Sequence, residues 1–95
     1  MPAIRLDPSF LLAFKGLSKS RREWVAARLR LFQIDPSDKA LRFRALRCAP
    51  GHFLIDSVRY DRIILRRETD DLYAVVDCGG HDIIDAWEAR AGDER

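Results

Sequence analysis

Two arginines and a histidine in the second half of the chain have side chains that could act on a phosphate group. Arg59 and Arg62 flank Tyr60-Asp61, a polar pair that we interpret as a turn between two apolar runs. A guanidinium group can hold a phosphate through two parallel hydrogen bonds. His81 follows Gly79-Gly80 at a predicted strand-to-helix junction, and an imidazole can accept or donate a proton near neutral pH. The sequence therefore predicts a candidate catalytic set at one edge of the fold.

Each of these residues also has a structural interpretation. The two arginines could be surface partners of Asp56 or Asp61, which lie close to them in sequence, and such exposed ion pairs contribute little stability. His81 could be a residue at a helix start that hydrogen-bonds to Asp82. The residues alone leave both interpretations open.

A basic segment precedes this region. Residues 41–47, LRFRALR, alternate apolar and basic side chains, a pattern typical of an extended segment or edge strand. Its three arginines are candidate nucleic-acid-binding residues: Arg42, Arg44 and Arg47. Trp87, in the last predicted helix, either packs that helix or faces a ligand, and we include it among these candidates.

The charge is distributed unevenly along the chain. The 95 residues carry a formal net charge of +2, but residues 1–50 hold 11 lysines and arginines against 4 acidic residues, whereas residues 51–95 hold 6 against 11. A basic face can attract nucleic acid or an acidic protein, and it can also be a solvated surface without a partner. With 47% hydrophobic residues, the chain suits one domain, residues 1–95, around one small core.

The cysteines and histidines give only weak evidence for a metal site. Cys48-x3-His52 and Cys78-x2-His81 have spacings that a tetrahedral zinc site could use. Reduced, buried thiols are commoner for isolated cysteines, so we expect no metal and no cofactor. The sequence contains no apolar run of the ~20 residues that a membrane span needs and no secretion-signal pattern. We therefore expect a cytoplasmic protein with no membrane partner.

The second half of the chain has the pattern of a three-stranded meander. Its apolar runs are residues 53–58, 62–66 and 72–78. Ile63, Ile64 and Leu65 are contiguous, as expected for a central strand that is covered on both faces. Residues 3–6 precede Asp7-Pro8-Ser9, which fits an edge strand leading into a helix.

Two amphipathic segments in the first half predict a helical hairpin. Apolar residues at helical spacing in the first segment are Phe10, Ala13, Phe14 and Leu17. In the second segment the main apolar stripe is Trp24, Ala27, Leu31 and Ile34, widened by Val25, Leu29 and Phe32. Ser20 and Glu23 have the spacing of a capping box at its start, and Asp35-Pro36 marks its end.

Together these elements predict an α+β fold, with a helical hairpin packed on one face of a mainly antiparallel four-stranded sheet. A short C-terminal helix follows Gly79-Gly80, and we expect the second face of the sheet to stay open to a partner. Trp24, Leu31, Ile64 and Val75 are each central in an apolar run. We therefore expect these four side chains to share one core.

The order of elements and three stretches of sequence resemble the RelE/ParE toxin superfamily of type II toxin–antitoxin systems. The stretches are residues 4–36, the run 62–65 and the junction 76–82, and together they cover nearly the whole chain. Residues 80–87 are similar to the His-His-Asp-x-Ala-Tyr-x-Trp signature of RelE-like domains attached to UvrD-type helicases. His81, Asp82 and Trp87 agree with that signature, whereas Gly80 and Asp85 depart from it.

The resemblance implies a small basic protein that cleaves ribosome-bound mRNA or, in the ParE branch, blocks DNA gyrase. It implies a cognate antitoxin as partner and, from the helicase-attached subgroup, a helicase association. Arg62 matches the arginine with which the central strand of these nucleases begins, and we assign catalytic roles to Arg62, Arg59 and His81. Cleavage by a ribose 2'-hydroxyl needs a proton acceptor, stabilisation of charge on phosphorus and a proton donor.

Two acidic residues depart from the nuclease pattern. Asp85 stands where the family signature has a tyrosine, and Asp56 stands where relatives often carry a cation. A carboxylate close to the scissile phosphate repels it. The alternative function is therefore a catalytically silent RelE-like module that binds an antitoxin, a helicase or nucleic acid.

Overall fold

The computed structural model describes residues 2–93, which form three α-helices and one five-stranded mixed sheet. The strands are β1 (Ala3–Leu6), β2 (Arg44–Ala45), β3 (His52–Asp56), β4 (Arg62–Thr69) and β5 (Leu72–Gly79). The helices are α1 (Pro8–Lys15), α2 (Lys19–Ile34) and α3 (Asp82–Asp93). None of the helices in residues 2–93 is both long and apolar enough to cross a membrane.

The sheet has the strand order β1-β5-β4-β3-β2. β1 pairs in parallel with β5, and the remaining pairs are antiparallel. The predicted α+β architecture and the meander are confirmed, and β4 is the central strand as expected. The sheet has one strand more than the predicted four because Arg44–Ala45 pairs with β3. This strand is short because Leu41 ends a 3-10 turn and Arg42 has a left-handed φ of 48°.

The caps of the first two helices come from side chains just before them. Asp7 accepts a hydrogen bond from the Ser9 backbone at 3.2 Å, and the bonds from Ser9 hold the pKa of Asp7 below its usual value. Ser18 accepts from the Arg21 backbone at 3.4 Å and is the N-cap of α2. The predicted capping box at Ser20 is therefore wrong by two residues, because the earlier serine directly follows the connection from α1.

The main core lies between α1, α2 and one face of the sheet, which we call the α1/α2 face. Its buried residues are Phe10, Leu17, Val25, Leu29, Phe32, Leu41, Ile55, Ile63, Leu65, Tyr73, Val75 and Cys78. The Phe32 ring lies edge-on to Tyr73 at 5.2 Å and stacks on Phe43 at 5.6 Å between ring centroids. Such aromatic pairs add to the stabilisation from burial.

The predicted set of shared core residues is wrong in part. Val25 and Phe32 on α2 are buried, whereas Trp24 and Leu31 are only half-buried. Both stripes have helical spacing, and the contact with the sheet selects the one that the sequence had placed second. Ile64 lies in a different cluster from Val75, because the two side chains are on opposite faces of the sheet.

The opposite face of the sheet, which we call the α3 face, has a smaller apolar cluster. Its buried residues are Leu46, Leu54, Ile64, Ala74 and Val76. Ile83, Ile84 and Trp87 of α3 pack against this cluster, so the expectation that this face stays open is wrong where α3 lies. At the junction, a Cβ on Gly79 would come within 2.7 Å of the Ile83 side chain. Glycine at this position therefore lets α3 begin close to the end of β5.

Candidate functional site

The candidate site lies at the end of the sheet where β3 ends and β4 begins. Asp56 is the strand partner of Arg62, and Arg62 is in turn the partner of Gly79. Since side chains two residues apart share a face, Asp56 lies on the same face as Leu54, and Arg62 lies on the same face as Ile64. Both side chains are therefore on the α3 face, beyond its apolar cluster.

Asp56 gathers three arginines around one carboxylate. Its Oδ1 lies 3.2 Å from Nε of Arg62 and 3.1 Å from Nη1 of Arg44. Its Oδ2 accepts a hydrogen bond from Nη1 of Arg42 at 3.2 Å. We call these four residues the Asp56 cluster. Three guanidinium groups against one carboxylate leave the cluster with a net charge of +2.

The members of the Asp56 cluster differ in their access to solvent. The side chains of Asp56 and Arg62 are 11% and 12% exposed, whereas that of Arg42 is 65% exposed. Nε of Arg62 and Oδ1 of Asp56 are within ion-pair distance, but neither atom makes a well-directed hydrogen bond. Oγ of Ser57 is also buried without a hydrogen bond. Buried polar atoms without such bonds are costly and uncommon. A functional role is one explanation for such atoms in a native protein.

The backbone around the cluster is strained. Three non-glycine residues in the described part of the chain have a left-handed φ: Arg42 at 48°, Arg59 at 58° and Tyr60 at 73°. Arg42 belongs to the Asp56 cluster, and the other two lie in the 3-10 turn between β3 and β4. This conformation is uncommon for residues with a Cβ, and its concentration here is a second sign of a functional region.

Asp61 anchors the turn that carries Arg59. Its buried carboxylate accepts two hydrogen bonds from Arg21, at 2.9 Å from Nε and 2.7 Å from Nη2. The bond to Asp61 raises the pKa of Arg21 above its ordinary value. Arg59 instead lies over the ring of Trp24, with its guanidinium carbon 5.5 Å from the ring centroid. Of the two predicted pairings, the one between Arg62 and Asp56 is present, and the Asp61 carboxylate is paired with Arg21.

His81 lies at the same end of the sheet as the Asp56 cluster. It is exposed in the turn between β5 and α3, two residues after Gly79, the strand partner of Arg62. Its carbonyl oxygen accepts a hydrogen bond from the Ile84 backbone at 3.2 Å, which fixes the backbone of the turn. The imidazole is thus accessible to a ligand that approaches the end of the sheet.

Trp87 packs α3 onto the sheet. Its Nε1 donates a hydrogen bond to Oδ2 of Asp77 at 2.8 Å. Its ring lies 5.2 Å from the His52 ring and 4.5 Å from the Arg90 guanidinium carbon. Of its two predicted roles, the structure shows the packing role, and nucleic-acid binding by Trp87 stays a prediction.

An open groove separates β2 from α3. It has a volume of about 760 Å³, and Arg44 and Arg47 line it together with Leu54, Ile84 and Glu88. The groove thus joins Arg47 to the Asp56 cluster through Arg44. The structure brings together the predicted residues of the 41–47 segment and Arg62 on one face.

The two cysteines lie on opposite faces of the sheet. Cys78 is buried in the α1/α2 face, whereas Cys48 packs beside the α3 face. Burial raises the pKa of the Cys78 thiol to about 12, with a smaller contribution from Asp77. The two cysteine–histidine pairs therefore cannot form one zinc site, and no group of three metal-ligating side chains occurs among the described residues.

Comparison with solved structures finds proteins of similar fold. The isolated E. coli RelE toxin superposes with a TM-score of 0.62 at 17% identity, covering 95% of this chain and 98% of that chain. A chain of the intact E. coli RelBE toxin–antitoxin complex gives 0.64 at 18% identity, covering 84% and 96%. A double arginine-to-alanine mutant of E. coli RelE in complex with an antitoxin RelBc peptide gives 0.63 at 15%, covering 94% and 93%.

The chain has a RelE-like fold. Neither a protein-family model nor a curated protein sequence matches it. At this low identity the likeness establishes the fold alone, and the chemistry has to be argued from the residues of this chain.

Within the RelE-like fold, Asp56 is the residue whose role sequence reasoning missed. The sequence indicated a carboxylate that would repel phosphate or would pair with Arg59 or Arg62 at the surface. The structure shows that it orients Arg42, Arg44 and Arg62. The signal was present, because a hairpin with a five-residue connection, residues 57–61, places Asp56 opposite Arg62. The contact of Arg42 with Asp56 could not be predicted in this way, since it depends on the left-handed backbone of Arg42, which lies outside the hairpin.

Proposed function

We propose that this protein is the toxin of a toxin–antitoxin pair and that it is an endoribonuclease acting on ribosome-bound mRNA. The observation that carries the proposal is the Asp56 cluster in a RelE-like fold. It gathers three guanidinium groups around one carboxylate at the end of the sheet where His81 is exposed. Cleavage by a ribose 2'-hydroxyl builds negative charge on phosphorus, and preorganised cations stabilise that charge.

The different exposures within the cluster suggest different roles for its arginines. Arg42 and Arg44 are the more exposed and can turn toward a phosphate while Asp56 keeps Arg62 in place. Arg62 then supplies a fixed positive charge to the phosphorane. His81 serves as acid or base. Asp56 is the carboxylate that orients these arginines.

Arg47 and Arg59 bind the RNA away from the cleaved phosphate. For Arg59 this role replaces the predicted catalytic one, because its guanidinium group lies over Trp24 and does not contact Asp56. Arg47 lies along the groove that leads away from Arg44, and Arg59 lies on the turn that precedes Arg62. Contacts of this kind fix the position of the strand and carry no sequence information. Action on ribosomes requires the protein to work in the cytoplasm.

The proposed partner is an antitoxin protein. The intact E. coli RelBE complex and the complex of mutant RelE with the antitoxin RelBc peptide contain such partners, and we extend this relation to the present chain. Association with a UvrD-type helicase rests on the similarity of residues 80–87 to the helicase-attached subgroup. Co-purification with the product of the neighbouring gene tests the antitoxin proposal directly.

Induced expression in a bacterial host tests the nuclease. We expect the wild-type protein to arrest growth and to yield transcripts cut within the coding sequence, mapped by primer extension. Arg62→Ala should remain folded and lose ~10²–10³-fold in cleavage rate, because it removes a fixed charge at the developing phosphorane. His81→Ala should lose less, since water can partly replace a general acid or base.

Arg66→Ala is the matched control, because Arg66 is on the same strand as Arg62, at the other end of its pairing with β3, and pairs with Glu68 at 3.3 Å. It should retain wild-type cleavage. A wild-type protein that neither slows growth nor yields cut transcripts contradicts the nuclease. Growth arrest with intact transcripts and DNA-damage signalling would instead indicate a ParE-like gyrase inhibitor.

One observation favours a second candidate function, a catalytically silent binding module. Arg62 is largely buried against Asp56, and its Nη1 donates to the Asp61 carbonyl oxygen at 3.3 Å. An arginine held in this way can be a structural residue. Under this alternative Arg62→Ala weakens folding and partner binding, and the wild-type protein leaves transcripts intact.

A further inference from the structure

The turn between β3 and β4 presents an aromatic side chain to solvent. The side chain of Tyr60 is 75% exposed. It follows Arg59, and both residues have left-handed backbones, with φ of 73° and 58°. Two consecutive non-glycine residues in this conformation are unfavourable because of contacts of their Cβ atoms. Glycine would adopt the same backbone without this cost, so the turn keeps a tyrosine where folding alone favours a glycine.

The turn is held rigidly at both ends. The Ser57 backbone donates to the Asp61 carbonyl oxygen at 2.8 Å, and the Asp61 backbone donates to Val58 at 3.4 Å. The Asp61 carboxylate is fixed by its two bonds to Arg21. The Tyr60 ring therefore projects from a backbone whose position is set by the fold, which lowers the entropy that binding must remove.

The surroundings of the turn are basic. Arg59 precedes Tyr60, and Arg62 of the Asp56 cluster follows two residues later. A groove of about 520 Å³ beside the turn is lined by Trp24 and Arg59, together with Arg21 and Asp61, whose charges compensate each other in an ion pair. An exposed aromatic ring close to arginine side chains is an arrangement that binds single-stranded nucleic acid, because cations follow the backbone and bases stack on the ring.

We propose that Tyr60 is a base-stacking residue that holds a nucleotide next to the phosphate bound at the Asp56 cluster. The ligand is single-stranded RNA, and the inference rests on the proposed function for that choice. An exposed tyrosine also suits a protein partner. The arginines on both sides of the turn favour a polyanion. Stacking is tolerant of sequence because every base has a flat face, so Tyr60 contributes position and affinity rather than base preference.

Binding of a non-cleavable RNA tests the inference. The probe is a fluorescein-labelled hexauridylate with 2'-O-methyl riboses, which lack the attacking hydroxyl, and the readout is anisotropy in KCl from about 50 to 300 mM. Tyr60→Phe keeps the ring and should bind like the wild type. Tyr60→Gly should weaken binding by about 5- to 100-fold. Its salt dependence should be unchanged, because tyrosine neutralises no phosphate.

Two control variants separate stacking from charge and from exposed apolar surface. Arg59→Gln should lower the slope of log affinity against log salt by about 1. Ile34→Ala removes an exposed apolar side chain on α2 and should leave binding unchanged. The melting temperature of Tyr60→Gly should be no lower than that of the wild type, since glycine relieves the left-handed backbone. This result would show that the loss of affinity does not come from unfolding.

The inference is overturned if Tyr60→Gly binds the probe like the wild type, if Tyr60→Phe is as weak as Tyr60→Gly, or if the wild-type protein does not bind the probe. The first outcome would leave the turn as a protein-docking element. The cleavage test of the proposed function is separate. A wild-type protein that binds the probe through Tyr60 but leaves ribosome-bound mRNA intact contradicts the nuclease and supports the stacking role.

Discussion

The two faces of the sheet differ in the extent of their apolar cores, in the helices that cover them and in charge. On the α1/α2 face the described residues include twelve that form a continuous buried cluster, with aromatic rings in contact and two helices as cover. On the α3 face five buried residues are covered by a single helix, and the cluster ends at Asp56 and its arginines. The buried polar atoms without directed hydrogen bonds lie at this end of the molecule.

This difference indicates which face supplies most of the stability and which face contains the energetically unfavourable features. Burial of apolar surface is the main favourable term in folding, and the α1/α2 face contains most of it. The α3 face carries an open groove and the charged Asp56 cluster, in which Arg42 has a left-handed backbone. We infer that the first face holds the sheet in shape and that the second presents the chemistry. Four predictions test this division, starting from the largest effect.

Truncation of a buried ring should separate the two faces most strongly. Phe32→Ala removes a side chain that contacts Phe43 and Tyr73 in the α1/α2 face and should lower the free energy of unfolding by about 3–5 kcal/mol. Ile84→Ala, on half-buried α3, should cost about 1 kcal/mol. Urea unfolding measures both. Equal losses would contradict the claim that stability resides mainly on the first face.

Removal of the central carboxylate should have an intermediate effect. Asp56→Ala leaves three arginines without their counter-ion and should cost about 1–3 kcal/mol, less than for a fully buried pair because Arg42 and Arg44 keep part of their hydration. The loss should shrink as salt rises, because salt screens the repulsion among the arginines. Thermal melts at low and high salt test this. A loss that does not depend on salt would show that Asp56 acts mainly through packing.

Trp24→Ala should have a smaller effect, about 1–2 kcal/mol, because Trp24 is half-buried and its ring supports Arg59 through a cation–π contact. Urea unfolding compares its loss of unfolding free energy with that of Phe32→Ala. A cost as large as that of Phe32→Ala would mean that α2 presents to the sheet the stripe that the sequence first indicated.

The cysteines should differ in reactivity with little change in stability. In the native protein Cys48 should react with a disulfide reagent, whereas Cys78 should react only after unfolding, because the thiolate is the reactive form. The folded-state pKa of Cys78, about 12, lies above the ordinary thiol value of 9.0. Burial of the protonated Cys78 thiol therefore contributes its full stabilisation below the ordinary pKa, and this stabilisation is lost as the pH rises toward the folded-state pKa. Equal modification of both cysteines at neutral pH would contradict the placement of Cys78.

Much of the fold could be predicted from the sequence because its patterns are local. The contiguous run Ile63 to Leu65 indicated a central strand, and Asp35-Pro36 ended α2 as expected. The rotation of α2 could not be predicted, since two stripes at helical spacing compete and only the sheet selects between them. The cover that α3 gives to the second face was missed, although a C-terminal helix with Trp87 was expected, because the sequence of a helix does not show which face of a sheet it packs on.

The candidate site was predicted in its components more than in its arrangement. Arg62 and His81 were placed at one edge of the sheet from strand ends and a glycine junction, and the structure has them there. The convergence of Arg42 and Arg44 on Asp56 depends on a left-handed residue and a two-residue strand. The alternation of residues 41–47 indicated an extended segment, but it did not show with which strand this segment pairs.

The most direct test of the division between the faces is cleavage by purified protein of a short mRNA bound to programmed ribosomes, measured at single turnover. We predict that the wild-type protein and Arg66→Ala cut at the same rate. Arg62→Ala should be ~10²–10³-fold slower, with a melting curve that shows it to be folded at the assay temperature. A wild-type protein that leaves the mRNA intact, or an Arg62→Ala protein that cuts at the wild-type rate, would contradict the assignment of the chemistry to the α3 face.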